Sequence, residues 1–240
     1  MKLIAKKTKF KEDTLRKVIK SVLKRDLSKI KNKSVLEIGP GTWDFAKLIL
    51  EKNGCTWQGL EPVDFSENNL THIKGSVEKI PVHNNTFDVV LCNQSIEHWF
   101  EYGVSFKKAL SEINRVLKSG GTLMVNAPIH LHGHPYFLRG DYVRIKKLFS
   151  KKDWALNLFE LGFISKQIRG WTKIGTKGFL KNYGYPSCLI KNPTTARSHI
   201  INIHVTKRKT LSFKDAHESY SIRVIKVIIR FIKELIFYYF

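Results

Sequence analysis

The sequence predicts an α/β fold, a mostly parallel sheet with helices on both faces, and three observations carry that expectation. The first is residues 34–50. Val35, Leu36 and Ile38 form a short apolar run, Gly39-Pro40-Gly41 interrupts it, and Phe45, Ala46, Leu48, Ile49 and Leu50 recur at helical spacing. That order reads as a buried strand, a tight turn and a helix. The second is the return of short apolar runs at residues 56–60, 87–93 and 122–125, as the strands of a covered sheet require. The third is size: 240 residues, 42% of them hydrophobic, suit one α/β domain with additions rather than two full domains.

The glycine turn is the first chemical feature. Glycines let a backbone approach a ligand closely, and the helix behind them presents free N–H groups to a polar or anionic group. The turn alone specifies only a nucleotide-like ligand. Two carboxylates narrow it: Glu37 lies inside the first strand, and Glu61 ends the second strand twenty residues beyond the turn. A carboxylate there can accept two hydrogen bonds from ribose hydroxyls.

With these residues the segment resembles the class I S-adenosylmethionine-dependent methyltransferases of the type 11-like group. The resemblance runs in order from about Val35 to Pro128. Residues 75–81 are similar to the family's adenine-side loop, Phe87–Asn93 to motif IV, and Ile96-Glu97-His98 to the stretch that follows it. Residues 110–125, with Glu112, Arg115 and Gly120-Gly121, are similar to the helix, glycine turn and fifth strand. The resemblance implies a Rossmann-like seven-stranded sheet and S-adenosylmethionine as cofactor. It implies Glu37, Gly39, Gly41, Glu61, Ser76, Val77 and Asn93 as the residues that hold it. Two positions depart from the family pattern. Trp43 stands where the last glycine of G-x-G-x-G falls, so an indole is expected to reshape or cover the methionine side of the loop. Ser76 replaces an acidic residue and offers the purine amine a weaker hydrogen bond.

Charge is distributed unevenly. Residues 1–33 carry 13 Lys/Arg against 3 Asp/Glu, residues 34–128 carry 8 against 11, and residues 129–240 carry 21 against 6, within a net charge of +22. The slightly acidic centre is thus flanked by basic segments, which suggest an anionic partner or a lysine-rich compositional drift. Cys55, Cys92 and Cys188 are scattered without a C-x-x-C pair, and read as buried thiols of a reducing cytosol, with no disulfide frame and no metal site expected. Lysine-rich residues 1–11 lack the apolar core of a signal peptide. The expected location is cytoplasmic, peripheral on the inner membrane face if the basic tail engages lipid.

Residues 1–33 form the basic N-terminal segment. Within it Leu15, Val18, Ile19, Val22, Leu23, Leu27 and Ile30 make one stripe of an amphipathic helix. Residues 34–207 form the domain proper. Asn93 to Trp99 belong at the carboxyl ends of the strands, where ligands bind in open α/β sheets, and His98 is a candidate proton acceptor there. Beyond the fifth strand, His130, His132 and His134 alternate in a loop. His132 and His134 are candidates to take a hydroxyl proton from an acceptor or to hydrogen-bond it. Residues 132–144 are also loosely similar to a loop and helix of methyltransferases of glycan and polysaccharide biosynthesis. Residues 153–161 read as a helix ended by Gly162, 163–169 as a sixth strand and 201–206 as a seventh. Between the last two, residues 170–200 carry Trp171, Tyr183 and Tyr185 and make a candidate substrate lid.

Residues 208–240 form a basic amphipathic tail. Arg223, Lys226, Arg230 and Lys233 line one helical face and apolar residues fill the rest. Each charge costs roughly 2.5 to 3.5 kcal/mol at a bilayer centre, so the segment suits an interfacial helix rather than a span. Packing on the domain or on a second subunit, as in a homodimer, is the alternative.

The expected function is methylation, from S-adenosylmethionine, of an oxygen on a small or lipid-linked acceptor such as a saccharide precursor. The alternatives are a lipid or quinone methyltransferase at a membrane, a nucleic-acid methyltransferase, and a non-catalytic binding protein. Nucleic acid is not the expected partner, because motif IV reads Asn93-Gln94-Ser95-Ile96 and lacks an Asn-Pro-Pro-Tyr type sequence.

Overall fold

The computed structural model describes residues 16–63, 72–128, 148–149, 153–164, 169–173 and 199–208. A helix over residues 16–27 (α1) precedes β1 (Ser34–Ile38), α2 (Phe45–Lys52), β2 (Thr56–Glu61), β3 (His72–Lys74) and β4 (Phe87–Asn93). A 3₁₀ segment, Ile96–Tyr102, leads to α3 (Phe106–Val116), β5 (Leu117–Pro128), β6 (Trp154–Ile164), β7 (Arg169–Lys173) and β8 (His199–Lys207).

The strands form one sheet in the order β3-β2-β1-β4-β5-β8-β6-β7. Pairing is parallel from β3 to β5, and antiparallel for β5 with β8, β8 with β6 and β6 with β7. The mostly parallel sheet expected from the sequence is therefore the one observed. It has eight strands where seven were expected, because β7 extends the edge beside β6. The chain leaves the edge strand β3 and returns beside β1 as β4, which makes the β1–β4 boundary the switch point of the sheet.

Alternation along the strands sorts two cores. Leu36, Ile38, Val90, Cys92, Leu123 and Val125 face α3, which buries Phe106, Ala109, Leu110, Ile113 and Val116 against them. Val35, Val89, Leu91 and Met124 face the other way, onto Ile19, Leu23 and Leu27 of α1 and Ala46 and Leu50 of α2. The spacing in α3 is i, i+3, i+4, i+7, a stripe whose burial holds the helix flat on the sheet. Ser105 caps its first turn by accepting from the Lys108 N–H.

The second face also holds a polar cluster. Asn202 donates to Asp26 (2.9 Å) and to Glu160 (3.2 Å), Arg25 pairs with both carboxylates, and His204 Nε2 stands 3.2 Å from Asp26. Burial would raise the Asp26 pKa, but His204, Arg25 and Asn202 outweigh it and hold the carboxyl well below the usual range. Satisfied in this way, the buried charges fix α1 to β6 and β8.

Three expectations are corrected. Residues 153–161 are not a helix but most of β6, paired along β8. The register shifts between Leu156 and Leu158, so Trp154, Leu156 and Phe159 share a core although their spacing is no longer two. The bulge gave the strand a helix-like pattern. The strand expected at 163–169 is divided: Phe163 and Ile164 end β6, and Arg169 begins β7. Gly120-Gly121 do not form a turn ahead of the fifth strand. They lie inside β5, where pairing jumps from Phe87↔Leu117 to Val89↔Thr122 and Gly120 takes φ +78°. A side chain on Gly121 would meet the Lys118 carbonyl at 2.8 Å. Of the candidate lid 170–200, residues 174–198 lie outside the described residues, as does the tail 209–240.

Candidate cofactor site

The turn between β1 and α2 is built by two left-handed glycines, Gly39 at φ +67° and Gly41 at φ +57°. The Gly39 N–H donates to the Leu60 carbonyl at 2.9 Å, which ties the turn to the end of β2. A Cβ on Gly39 would stand 2.7 Å from Ser95 Cβ, so a strand end and a loop pack too closely there for any side chain. Over Gly41 a Cβ would meet nothing within 4 Å. The backbone at Gly41 therefore opens into free space.

That space is a cavity of about 240 Å³ at the carboxyl ends of β1, β2 and β4. Its apolar walls are Ile38, Leu60, Val77, Trp99 and Val104, and Gly39, Gly41, Glu61, Ser76, Gln94, Ser95 and His98 supply its polar lining. Glu61, 6% exposed, reaches across the turn to accept the Gly41 N–H at 2.5 Å. Burial raises its pKa, against the opposing effects of the Gly41 N–H and of His72. Hydroxyl donors on a ligand would favour its ionised form. Ser76 accepts from the Glu78 N–H, and Val77 is 5% exposed. The neighbouring segment is braced by Arg115, which donates to the Ile80 and Val82 carbonyls, each at 2.8 Å, and pairs with Glu112.

Five of the seven residues expected at the cofactor, Gly39, Gly41, Glu61, Ser76 and Val77, thus line one cavity. The other two lie elsewhere. Glu37, 1% exposed, points to the α2 face and accepts from Trp57 Nε1 at 2.9 Å, because strand alternation sets it opposite Leu36 and Ile38. Burial, above all, pushes its pKa up to about 8, and the nearby Glu61 adds to the rise. Asn93, 5% exposed, pairs in register with Asn126 and does not line the cavity. Its neighbour Gln94 does, and is held in the left-handed region at φ +53° by bonds from its N–H and its Nε2 to Asn126. Trp43 is absent from the cavity too. Its indole stacks on Phe45, centroids 5.8 Å apart, and packs on the α1–α2 core, so it does not cover the glycine turn.

Of the acceptor-side candidates, His98 lines the cavity from the 3₁₀ segment, half-buried. His132 and His134 lie outside the described residues. Ser95 and Tyr102 also line the cavity, and the sequence reading assigned neither. A serine after a strand carries no periodic signal, and Tyr102 is 62% exposed. Both become visible only once β4 and the 3₁₀ segment are folded around the turn.

The residues present fit an S-adenosyl group. A carboxylate able to accept two hydroxyls stands beside a side-chain-free backbone, and apolar walls suit a flat purine. Residues 36–125 match the family model described as a methyltransferase domain. The match covers that segment and not the whole chain, and the fold around it is the one seen in an S-adenosylmethionine-dependent methyltransferase. The chain is similar to the malonyl-[acyl-carrier protein] O-methyltransferase of Buchnera aphidicola subsp. Baizongia pistaciae, 30% identical over 155 residues, 59% of each protein. It is similar to the demethylmenaquinone methyltransferase of Staphylococcus aureus, 25% identical over 193 residues, 65% of this chain and 78% of that one. A crystal structure of an S-adenosylmethionine-dependent methyltransferase from Thermotoga maritima superposes with a TM-score of 0.54 at 17% identity, over 87% of this chain and 96% of the other. That likeness is one of fold. The chain spans less than two thirds of the length of several curated relatives, covering 30%, 23%, 44% and 59% of four of them.

Proposed function

We propose that the whole protein is an S-adenosylmethionine-dependent methyltransferase acting on an oxygen of a small or lipid-linked acceptor, a saccharide precursor being the first class to test. The observation that carries this reading is Glu61, whose carboxylate closes over the glycine turn and lines the same cavity as Ser76 and Val77. Bound there, S-adenosylmethionine supplies a methyl group activated by its sulfonium. The chain's own task is to bind, align and exclude water. Glu61 takes the ribose hydroxyls, the backbone at Gly39 and Gly41 lets the ligand lie close, and Ile38, Leu60 and Val77 shield it. His98, at the rim of the cavity, takes the proton that an acceptor hydroxyl gives up, with His132 and His134 as further candidates.

The preference for oxygen is supported by the O-methyltransferase among the relatives, and the saccharide class by the loose similarity of residues 132–144. The demethylmenaquinone methyltransferase supports a second reading, a quinone or lipid acceptor. In that case the basic tail 221–240 carries the protein to an anionic membrane surface. Among the described residues no helix is long and apolar enough to cross a membrane. Titration calorimetry with S-adenosylmethionine and S-adenosylhomocysteine tests the cofactor site. Micromolar binding by the native protein, lost in Glu61→Ala, is expected, and a folded native protein that binds neither compound would overturn the reading. Acceptor screening then sets lipid-linked sugars against quinones, and methyl transfer to one class selects between them.

A further inference from the structure

Among the described residues, the cavity has one buried side-chain polar atom without a hydrogen-bond partner. Ser95 is 6% exposed, and its Oγ is buried with no hydrogen-bond partner among the described residues. A buried hydroxyl without a partner costs free energy. This one lines the cavity beside Gly39, whose absent Cβ would stand 3.5 Å from that oxygen. The local chain leaves the hydroxyl available. The Ser95 carbonyl already accepts the His98 N–H at 3.0 Å, starting the 3₁₀ turn, and Gln94 beside it is committed to Asn126.

Its position decides which part of the ligand it meets. Glu61 marks the ribose at the end of β2, and Ser76 and Val77 mark the purine side beyond it. Ser95 follows β4, on the far side of Gly39 from β2. The ligand's amino-acid end is what remains for that side. We propose that Ser95 Oγ–H donates to the carboxylate of the cofactor's amino-acid end and so sets the reach of the methyl-bearing sulfur. The inference rests on the cofactor reading given above and adds a residue that nothing else assigns.

The test compares Ser95→Ala with the native protein by calorimetry, using S-adenosylhomocysteine and 5′-methylthioadenosine, which lacks the amino-acid end. A hydrogen bond to a charged group predicts a loss of about tenfold or more for S-adenosylhomocysteine. Binding of 5′-methylthioadenosine should stay unchanged, which also reports that the variant's cavity is intact. Equal affinity of native and variant proteins for S-adenosylhomocysteine would overturn the proposal while leaving the cofactor site standing. Parallel losses for both ligands would overturn it as well, by making Ser95 a packing residue. Failure of the native protein to bind either ligand would refute the cofactor reading itself.

Discussion

Replacing Glu37 by glutamine should make the protein more stable, by an amount that depends on pH. The carboxyl is fully enclosed on the α2 face and ionises near pH 8 in the folded chain, against 4.5 when exposed. Between those values the native state keeps a proton that the unfolded chain has lost, so stability falls as pH rises. Each unit costs about 1.4 kcal/mol. From pH 4.5 to 7 the loss is therefore about 3 kcal/mol, and it levels off near 5 kcal/mol, on the order of the stability of a whole domain, above pH 8. The glutamine amide would still accept the Trp57 indole N–H while having nothing to ionise. Urea unfolding of both proteins at pH 5, 7 and 9 reads the difference. The two stabilities should lie close together at pH 5 and diverge by a few kcal/mol at pH 9, with the glutamine variant ahead. Parallel pH profiles would refute the reasoning. So would a variant that is no more stable at pH 9 but binds S-adenosylhomocysteine tenfold more weakly, which would put the carboxyl in the cofactor's service.

Gly39→Ala and Gly41→Ala separate strain from collision. Both residues are left-handed, but only at Gly39 does a Cβ strike Ser95. Gly41→Ala should cost about 1 kcal/mol and Gly39→Ala about 2 kcal/mol or more, read from melting temperatures; equal losses would count against the close packing. Asp88 offers an acid-side test. Burial would raise its pKa, but Lys118 at 2.8 Å and the Ser34 N–H and hydroxyl outweigh it and hold it at about 2. Its stabilisation is complete above the ordinary value of 3.8 and is lost as pH falls towards 2. Lys118→Met should therefore be destabilised by about 1 kcal/mol at pH 7, and the gap should narrow between pH 4 and pH 2 in denaturant titrations.

The parts of the fold legible in the sequence are those with local causes. The strand, glycine turn and helix of residues 34–52 were readable because periodicity and backbone freedom are properties of consecutive residues. So was α3, whose stripe is complete within eleven positions. What failed depended on partners distant in sequence. The bulge in β6 exists because β8 fixes the register on both sides of it, and nothing between residues 154 and 164 announces that. The glycines of β5 read as a turn because their real constraint, the approach of Gly121 to the Asp88 and Lys118 carbonyls, is tertiary. The site shows the same division. Gly39, Gly41 and Glu61 could be proposed from spacing alone. The direction of Glu37 required knowing which face α2 covers, and the buried Ser95 hydroxyl, without a partner among the described residues, required the packed loop.

The polar cluster beneath α1 bears on the order in which the chain can assemble. Asn202 and Asp26 are 176 residues apart in sequence, and Arg25 and Glu160 are 135 apart. During synthesis α1 and its own Arg25 emerge long before Asn202 and His204, the partners that hold Asp26 from β8. Until β8 slots between β5 and β6, the first helix has apolar contacts to β1 but no ionic anchor, and β6 has no neighbour to join it to the sheet. Such long loops close slowly and leave surface exposed while they do. Completion of the domain is thus gated by the arrival of residues 199–207, and a chain truncated before them would leave Asp26 and Glu160 to share Arg25 without the amide of Asn202 and, at Asp26, without His204.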